Sequence, residues 1–503
     1  MNLKLLIFSP LIISLIFLLP IFSGHSVFIR RAAKTFACVH FIYSLLLIVF
    51  YNANLPLNFS DEITFFNEKW FGSLGISLSL GVDGISVLLV ILCSFLTLMS
   101  CMASKGVIKS KHSLYYSLIF MLETAVLGVF CSRDMFEFFL FWELELVPMY
   151  FLISLWGSGN AKKSAMKFLL YTFIGSLFML CGLLMLYNFN FISTQELTAD
   201  IGNLNFDYDS VPIYVQCITS ILIFIGFAVK LPIIPLHNWL PAAHVDAPTP
   251  VSMLLAGILL KMGAYGIIRF NIQILSDAFL ILVPYLVILA FINIAFAAVL
   301  AYYQTDIKKI IAYSSISSMG IVLLGLCSGN LAGITGAVFL MLAHGIISAA
   351  LFFIVGIIYK RISTRDIGQL GGLALVMPKT AGFATLFCLA SVGLPFLISF
   401  PGEFLVFFGA VISSLLNNYL IQVVALSSII VLVLSAIYIL KFLHKSFYGQ
   451  LQLRFDSACD LISHEFIILF SLSVVIILFG VLPMPIIDLV IPAIRQATEA
   501  FGG

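Results

Sequence analysis

Charge is what this sequence has least of. Asp, Glu, Lys and Arg make up 10% of its 503 residues, against about 25% in soluble domains. Hydrophobic residues make up 62%, more than a water-soluble fold of this length could hide, so its solvent is lipid. A lipid solvent leaves backbone polar groups no water to bond, which restricts spanning structure to helices or a closed barrel. The apolar runs are long and continuous rather than alternating, so helices are expected. Also lacking is any C-x-x-C pair. Nine cysteines are scattered along the chain, which excludes an iron–sulfur motif or disulfide framework and implies buried packing. A net charge of +2 gives no basic surface for nucleic acid, and no nucleic-acid partner is expected.

What the sequence does have is a series of apolar segments, each near the roughly 20 residues that a spanning helix needs. Fourteen candidates run 3–23, 35–52, 84–103, 113–131, 134–156, 164–188, 211–240, 247–270, 278–303, 308–327, 331–359, 379–413, 418–445 and 464–486. The first is expected to be a retained span rather than a signal peptide, because its apolar run is long and no small-x-small site follows it. Connections after odd-numbered spans are basic: Arg30, Arg31 and Lys34; Lys105, Lys109 and Lys111; Lys162, Lys163 and Lys167; Lys308 and Lys309; Lys360, Arg361, Arg365 and Lys379; Lys441, Lys445 and Arg454. The seventh connection has neither Lys nor Arg. Connections after even-numbered spans are acidic or near neutral, with Asp61, Glu62 and Glu68 in one and Glu196, Asp200, Asp207 and Asp209 in another. Basic connections stay on the cytoplasmic side, so both termini should face the opposite side.

Proline interrupts two spans. The seventh reads FAVKLPIIPLHNWLP, with Pro232, Pro235 and Pro241; the twelfth reads SVGLPFLISFPGEF, with Pro395 and Pro401. Proline removes a helix hydrogen bond and clashes with the preceding turn. Two broken spans five apart suggest two five-helix units, which must be inverted because each has an odd number of crossings, and an ion pathway near the midplane. The expected fold is an all-α polytopic membrane protein with about 14 transmembrane helices, two inverted five-helix repeats and two discontinuous helices. The expected organisation is 1–112 (helices 1–3), 113–270 (first repeat), 271–445 (second repeat) and 446–503 (helix 14).

Ionisable residues inside this slab are costly and are usually functional. Lys230 adjoins the first break, and Lys261 lies mid-span in AGILLKMGAYGIIRF. A buried amine there can exist with or without its proton, as a proton relay requires. Glu143, in FFLFWELELVPMY, can bias such an amine by approaching or leaving it. Glu145 is two residues on, hence on another helical face, and Glu137 lies about 9 Å back along the axis. Either is a second relay or a helix–helix contact. Glu403 follows the second break, where Lys230 adjoins the first, and Glu123 is also intramembrane. Histidine passes protons near neutrality; His344 is deep in the eleventh span, and His237 and His244 flank the first break. Permanent ion pairs that only hold helices together would be the alternative use of these charges.

The stretches FWELELVPMYFLISLWG, FAVKLPIIPLHNWLPAAHVDAPTPVSMLLAGILLKMGAYGIIRF, YQTDIKKIIAYSSIS and PGEF, in this order across most of 80–445, resemble a known family. It is the antiporter-like M-type subunits of proton-pumping NADH:quinone oxidoreductase (respiratory complex I), which include mitochondrial subunit 4 and the cyanobacterial and plastid D subunit. The resemblance implies one proton channel in which Glu143 modulates Lys230, Lys261 is the central relay and Glu403 lies on the exit side. It implies no cofactor in this chain, with NAD, FMN, iron–sulfur clusters and quinone in partner subunits. The implied partners are the bilayer and other membrane subunits, sister antiporter-like subunits among them. The implied location is the bacterial inner membrane, with thylakoid and mitochondrial inner membranes as alternatives. Subunits of cation/proton antiporters and membrane-bound hydrogenases share the pattern and form the competing reading. Two positions depart from it: Ser318 stands where relatives often carry histidine, and Ala242 where they carry aspartate.

Overall fold

The computed structural model of the chain describes residues 2–22, 25–54, 63–204, 211–415, 418–451 and 459–499. The loop charges Asp61, Glu62, Asp207, Asp209 and Arg454 lie outside the described residues. Twelve described helices are long and apolar enough to cross a membrane. The two other expected spans take different forms: the first is a 16-residue helix, and the twelfth is split in two.

The N-terminal part runs α1 (Leu3–Leu18), α2 (Ser26–Asn54), a hairpin of β1 (Ile63–Phe71) and β2 (Ile76–Val82), α3 (Gly84–Ala103) and α4 (His112–Cys131). The hairpin is an addition to the all-α expectation. Side chains pin it to the start of the next helix: Ser77 N donates to Asp134 Oδ2 at 2.8 Å, and Ser79 N to Glu137 Oε2 at 3.0 Å. Glu137 thus accepts a hydrogen bond from the hairpin backbone. Arg30, Arg31 and Lys34 sit on the first turns of α2, which begins well before residue 35.

The fifth span is two helices, α5 (Met135–Leu144) and α6 (Leu146–Trp156), separated at Glu145. Pro148 lacks the N–H that would bond Leu144 O, which accounts for the interruption one turn before it. Next come α7 (Ala161–Thr194), α8 (Ile213–Lys230) and α9 (Trp239–Asp246). The eighth span is α10 (Thr249–Leu254) and α11 (Leu260–Gly266), joined at Leu255–Leu259 and extended at Ile267–Ile272 by π-helical turns. The rest is α12 (Ser276–Tyr303), α13 (Ile307–Leu326), α14 (Leu331–Ile362), a short α15 (Leu373–Val376), α16 (Pro378–Ser391), α17 (Ser399–Val411), α18 (Asn418–Phe447), α19 (Ser463–Val481) and α20 (Met484–Glu499). The sequence reading did not separate α20 from the fourteenth span. Polar residues start several helices, as Asp83 does for α3, Asp306 for α13 and Asn330 for α14, each satisfying an orphan N–H.

Burial sorts these helices. The most apolar window is entirely buried in Thr249–Ile272 and in α14, but only 28% buried in α2 and α18. The first two form the core and the others present their apolar faces to lipid. Lys261 and His344 sit on the two core helices. Cysteine burial is only partly as expected: Cys93, Cys101, Cys131, Cys327 and Cys388 are buried, whereas Cys38, Cys181 and Cys459 are exposed and Cys217 is half-buried. Cys38 and Cys181 lie on α2 and α7, whose outer faces border lipid. Asp460, in the connection before α19, accepts hydrogen bonds from Lys379 N, Thr380 N and Thr380 Oγ1 and so caps α16 from a distance.

Candidate functional site

The first break lies between α8 and α9, and the backbone groups it frees find partners. Trp239 Nε1 donates to Val229 O at 2.9 Å, and Ile234 N donates to Asn293 Oδ1 at 2.9 Å. Asn293 in turn donates to Ile316 O on α13 at 3.0 Å. This accounting is what lets non-helical backbone exist inside the slab. It also fixes Lys230, the last residue of α8, with only 1% of its surface exposed.

Lys230 pairs with Glu145, whose side chain is fully buried. The ring of Trp142 lies under the same ammonium at 4.4 Å. Glu143 is half-buried, with Lys230 and Ser176 as polar neighbours. Glu145 makes the direct ion pair with Lys230, and Glu143 stands beside it as a second carboxylate near the same ammonium. Both carboxylates lie near the same lysine although they are two residues apart, at the junction of α5 and α6. Pro148, three residues past Glu145, was the signal for that junction available in the sequence. One oxygen of each carboxylate is buried without a hydrogen-bond partner among the described residues.

Lys261 is fully buried. Its Nζ donates to Ala256 O at 2.5 Å and lies 2.8 Å from His344 Nδ1. Ala256 is inside the first π turn, where the widened register exposes a carbonyl that an α-turn would keep bonded. Gly263 lets this helix touch the first break: a Cβ there would stand 2.7 Å from Phe227 O and 2.8 Å from Leu231 N. The lysine on α11 and the one ending α8 are therefore mounted on backbones in direct contact.

Between α14 and α17, small residues allow close approach. A Cβ on Gly336 would lie 2.6 Å from Val406 N, and one on Gly409 would lie 2.3 Å from Gly333 N. This seam joins the helix of His344 to that of Glu403. Glu403 is partly buried. Its Oε2 occupies the space beside Gly393, where a Cβ would be 2.3 Å away and φ is +82°. The second break, which runs from α16 to α17, thus provides the cradle for this carboxylate.

The other expected residues are placed apart. Glu123 on α4 pairs with His40 on α2, Oε1 to Nδ1 at 3.1 Å, and His40 Nε2 lies 2.9 Å from Leu6 O. That pair links the N-terminal helices and is not part of the chain of groups from Glu145 to His344. His237 lies in the first break near the Tyr313 ring. His244 is fully buried against Phe352, with both ring nitrogens lacking a partner among the described residues. Ser318, at the departure position, donates to Ser314 O at 3.1 Å. Sequence reasoning missed Glu145 as the direct partner of Lys230, and it missed an Asp83–Arg269 pair at 2.5 Å. Among the described residues no three His, Cys, Asp or Glu side chains gather as a metal site.

Residues 132–430 match the family described as NADH:quinone oxidoreductase/Mrp antiporter, TM. The chain is 38% identical over 494 residues to NADH-quinone oxidoreductase subunit M of Rickettsia prowazekii, covering 96% of this chain and 95% of that one. It is 41% identical over 399 residues to NAD(P)H-quinone oxidoreductase chain 4 3 of a Picosynechococcus species, covering 78% and 70%. Its fold matches a chain of respiratory complex I from Thermus thermophilus with bound NADH, at a TM-score of 0.86 and 26% identity over the full length of both.

Proposed function

Because this chain belongs to the NADH:quinone oxidoreductase/Mrp antiporter family of membrane proteins, we propose that its buried ionisable groups form the proton path of a membrane subunit of NADH:quinone oxidoreductase. The chain is a multi-pass inner-membrane protein of the antiporter-like kind, and electron transfer takes place in other subunits. NAD, FMN, iron–sulfur clusters and quinone belong to those partners and supply the redox energy; the residues of this chain bind, hold and pass protons.

The observation that carries the reading is Lys261: a fully buried amine whose neighbours are a carbonyl oxygen and a histidine rather than a carboxylate. Permanent ion pairing would explain Lys230 but not Lys261. A lysine that faces His344 Nδ1 can hand a proton to the imidazole and regain it, leaving no fixed charge behind. Lys230 is the input group, biased by Glu145 and Glu143. When the carboxylates hold the ammonium, the proton stays. When a charge change in a neighbouring subunit draws them off, the proton moves toward Lys261. Glu403, on the second broken span, is the exit-side carboxylate, and sister antiporter-like subunits are the neighbours across which the charge change travels.

The inverted five-helix organisation, 113–270 and 271–445, belongs to the same proposal, supported by two spans with breaks five spans apart, one next to Lys230 and one next to Glu403. Basic connections face the cytoplasm and acidic ones the opposite side. Glu123 with His40, and His237 in the first break, are side branches with the chemistry of proton carriers but outside the central line. The test is Lys261→Ala in the assembled complex: NADH:quinone activity measured with uncoupler persists while proton pumping is lost. A variant that pumps at the wild-type ratio of protons to electrons would sink the proposal. The competing reading, a subunit of a cation/proton antiporter, predicts sodium movement by the chain without redox subunits.

A further inference from the structure

The Lys261 helix continues past its lysine to a second group of polar side chains that the proposed path does not use. One turn on, Tyr265 donates its hydroxyl to Phe130 O at 3.0 Å and lies 3.1 Å from Ser86 Oγ. One further turn on, Arg269 donates to Ser86 Oγ at 3.3 Å and pairs with Asp83 at 2.5 Å. Asp83 itself is held in place, because its other oxygen caps α3 through Ser86 N at 2.8 Å. Arg269 divides its donors among several partners. It sits in the second π turn, its guanidinium lies over the Tyr265 ring at 5.0 Å, and it has another acceptor, Gln273 Oε1, at 3.2 Å. A cavity of about 220 Å³ opens on this group and is lined by Tyr265, Arg269, Gln273, Ser132, Gly202 and Gln496. The walls at Ser132 and Gly202 come from segments next to the hairpin and the acidic connection after α7, so the cavity lies toward the face of the even-numbered connections.

We propose that Tyr265, Ser86 and the Asp83–Arg269 pair form a gated outlet from the Lys261 site into this vestibule. The outlet rests on the reading of Lys261 as central carrier and gives that lysine its own opening, upstream of Glu403. At rest the ion pair closes the inner end of the cavity. When Arg269 lets go of Asp83 and keeps only its bond to Gln273, Asp83 is released as a proton acceptor while its cap keeps it in position. The proton leaves Lys261 Nζ and crosses the roughly 6 Å of one helical turn, a distance that one or two waters bridge. Tyr265 takes it on oxygen as it passes its own hydroxyl proton on through Ser86. The phenol is therefore neutral before and after, Asp83 receives one proton and releases one to the vestibule, and no electron moves. Tyr265 and Ser86 are relays, and Arg269 is a positioning residue that controls access to Asp83.

The experiment uses the assembled complex. Tyr265→Phe keeps the ring against Phe130 and removes only the hydroxyl, and Asp83→Asn keeps a helix cap and removes the charge. The expected result for Tyr265→Phe is proton release slowed by roughly 10²-fold, read as loss of the pH gradient while uncoupled NADH:quinone activity is unchanged. Asp83→Asn, which removes the acceptor, is expected to slow proton release to a similar degree. If both pump normally while Lys261→Ala does not, the outlet is refuted and the central lysine stands; if Lys261→Ala also pumps, both readings fall. A third arm does not depend on either variant assembling. Ser132→Cys on the vestibule wall should react with a membrane-impermeant maleimide from the non-cytoplasmic face, faster during turnover. A thiol unreactive from that face, at rest and during turnover, overturns the proposal.

Discussion

Exchanging Glu145 for glutamine tests the geometry where it departs most from the residue pattern. Glu145 and Lys230 are buried to 0% and 1% exposure and pair directly. Removing one member of a buried pair costs about 3–5 kcal/mol, because the other is left as an uncompensated charge. The face of Trp142, 4.4 Å from the ammonium, offsets about 1–2 kcal/mol of that. The coupling between positions 145 and 230 is then about 1–4 kcal/mol, or roughly 5- to 900-fold in rate. A double-mutant cycle measures it: Glu145→Gln, Lys230→Met and the pair, each in assembled complex, with NADH-driven proton uptake followed in inverted vesicles by a pH-sensitive dye. Each single change should cost nearly as much as both together. Coupling below about 0.5 kcal/mol, the level at which independent sites add, would refute the reasoning. So would a larger coupling for Glu143→Gln with Lys230→Met.

Three further perturbations have defined outcomes. Gly393→Ala puts a methyl 2.3 Å from Glu403 Oε2 at φ +82°; left-handed backbone costs an alanine about 1–2 kcal/mol, and pumping should fall as it does in Glu403→Gln, checked by comparing the two side by side. Gly263→Ala drives a methyl into the backbone of the first break, an overpacking of about 1–3 kcal/mol, and should reduce the assembled complex recovered on native gels far more than Gly382→Ala, where a Cβ would meet nothing within 4 Å. At Asp460, burial pushes the carboxyl up, but the hydrogen bonds from Lys379, Thr380 and Leu461 outweigh it and hold it below the usual carboxylate range. Its contribution to holding α16 is therefore complete above the unfolded value, about 3.9, and is lost as pH falls through the lower folded value. Limited proteolysis at the start of α16, where Asp460 caps Lys379 and Thr380, should accelerate below about pH 4 in the wild type, whereas Asp460→Asn should show no such step.

Much of the fold can be read from the residues because lipid simplifies the problem. With so little charge, every long apolar run had to be a helix. Pro232 and Pro235 mark the first interruption, and Pro395 with Pro401 the second. Lys261 and His344 are conspicuous as ionisable groups amid apolar neighbours, and the structure brings them within 2.8 Å. Other features depend on partners remote in sequence. The β1–β2 hairpin forms against Asp134 and Glu137, about sixty positions later, and its strands carry too little alternation to be seen alone. The Asp83–Arg269 pair joins the cap of α3 to the end of the eighth span, and nothing in the sequence says that these two ends meet. Glu145 meets Lys230 across two helices, a pairing that spacing along one helix does not show. Glu123 has the right chemistry and burial for the central line, but its neighbour is His40 on α2, and a single sequence does not say which helix α4 will face.

Lys261→Arg is the most direct test of the central claim. Arginine keeps a positive charge and can donate to Ala256 O, but it does not release its proton. Any role as a fixed charge holding α11 to α14 survives the change, whereas a role that requires gain and loss of a proton does not. The measurement is the ratio of protons moved to NADH oxidised in proteoliposomes containing the arginine complex, with uncoupled quinone reduction as the check on assembly. The account predicts normal uncoupled turnover with proton movement abolished. An arginine complex that pumps at the wild-type ratio would contradict it.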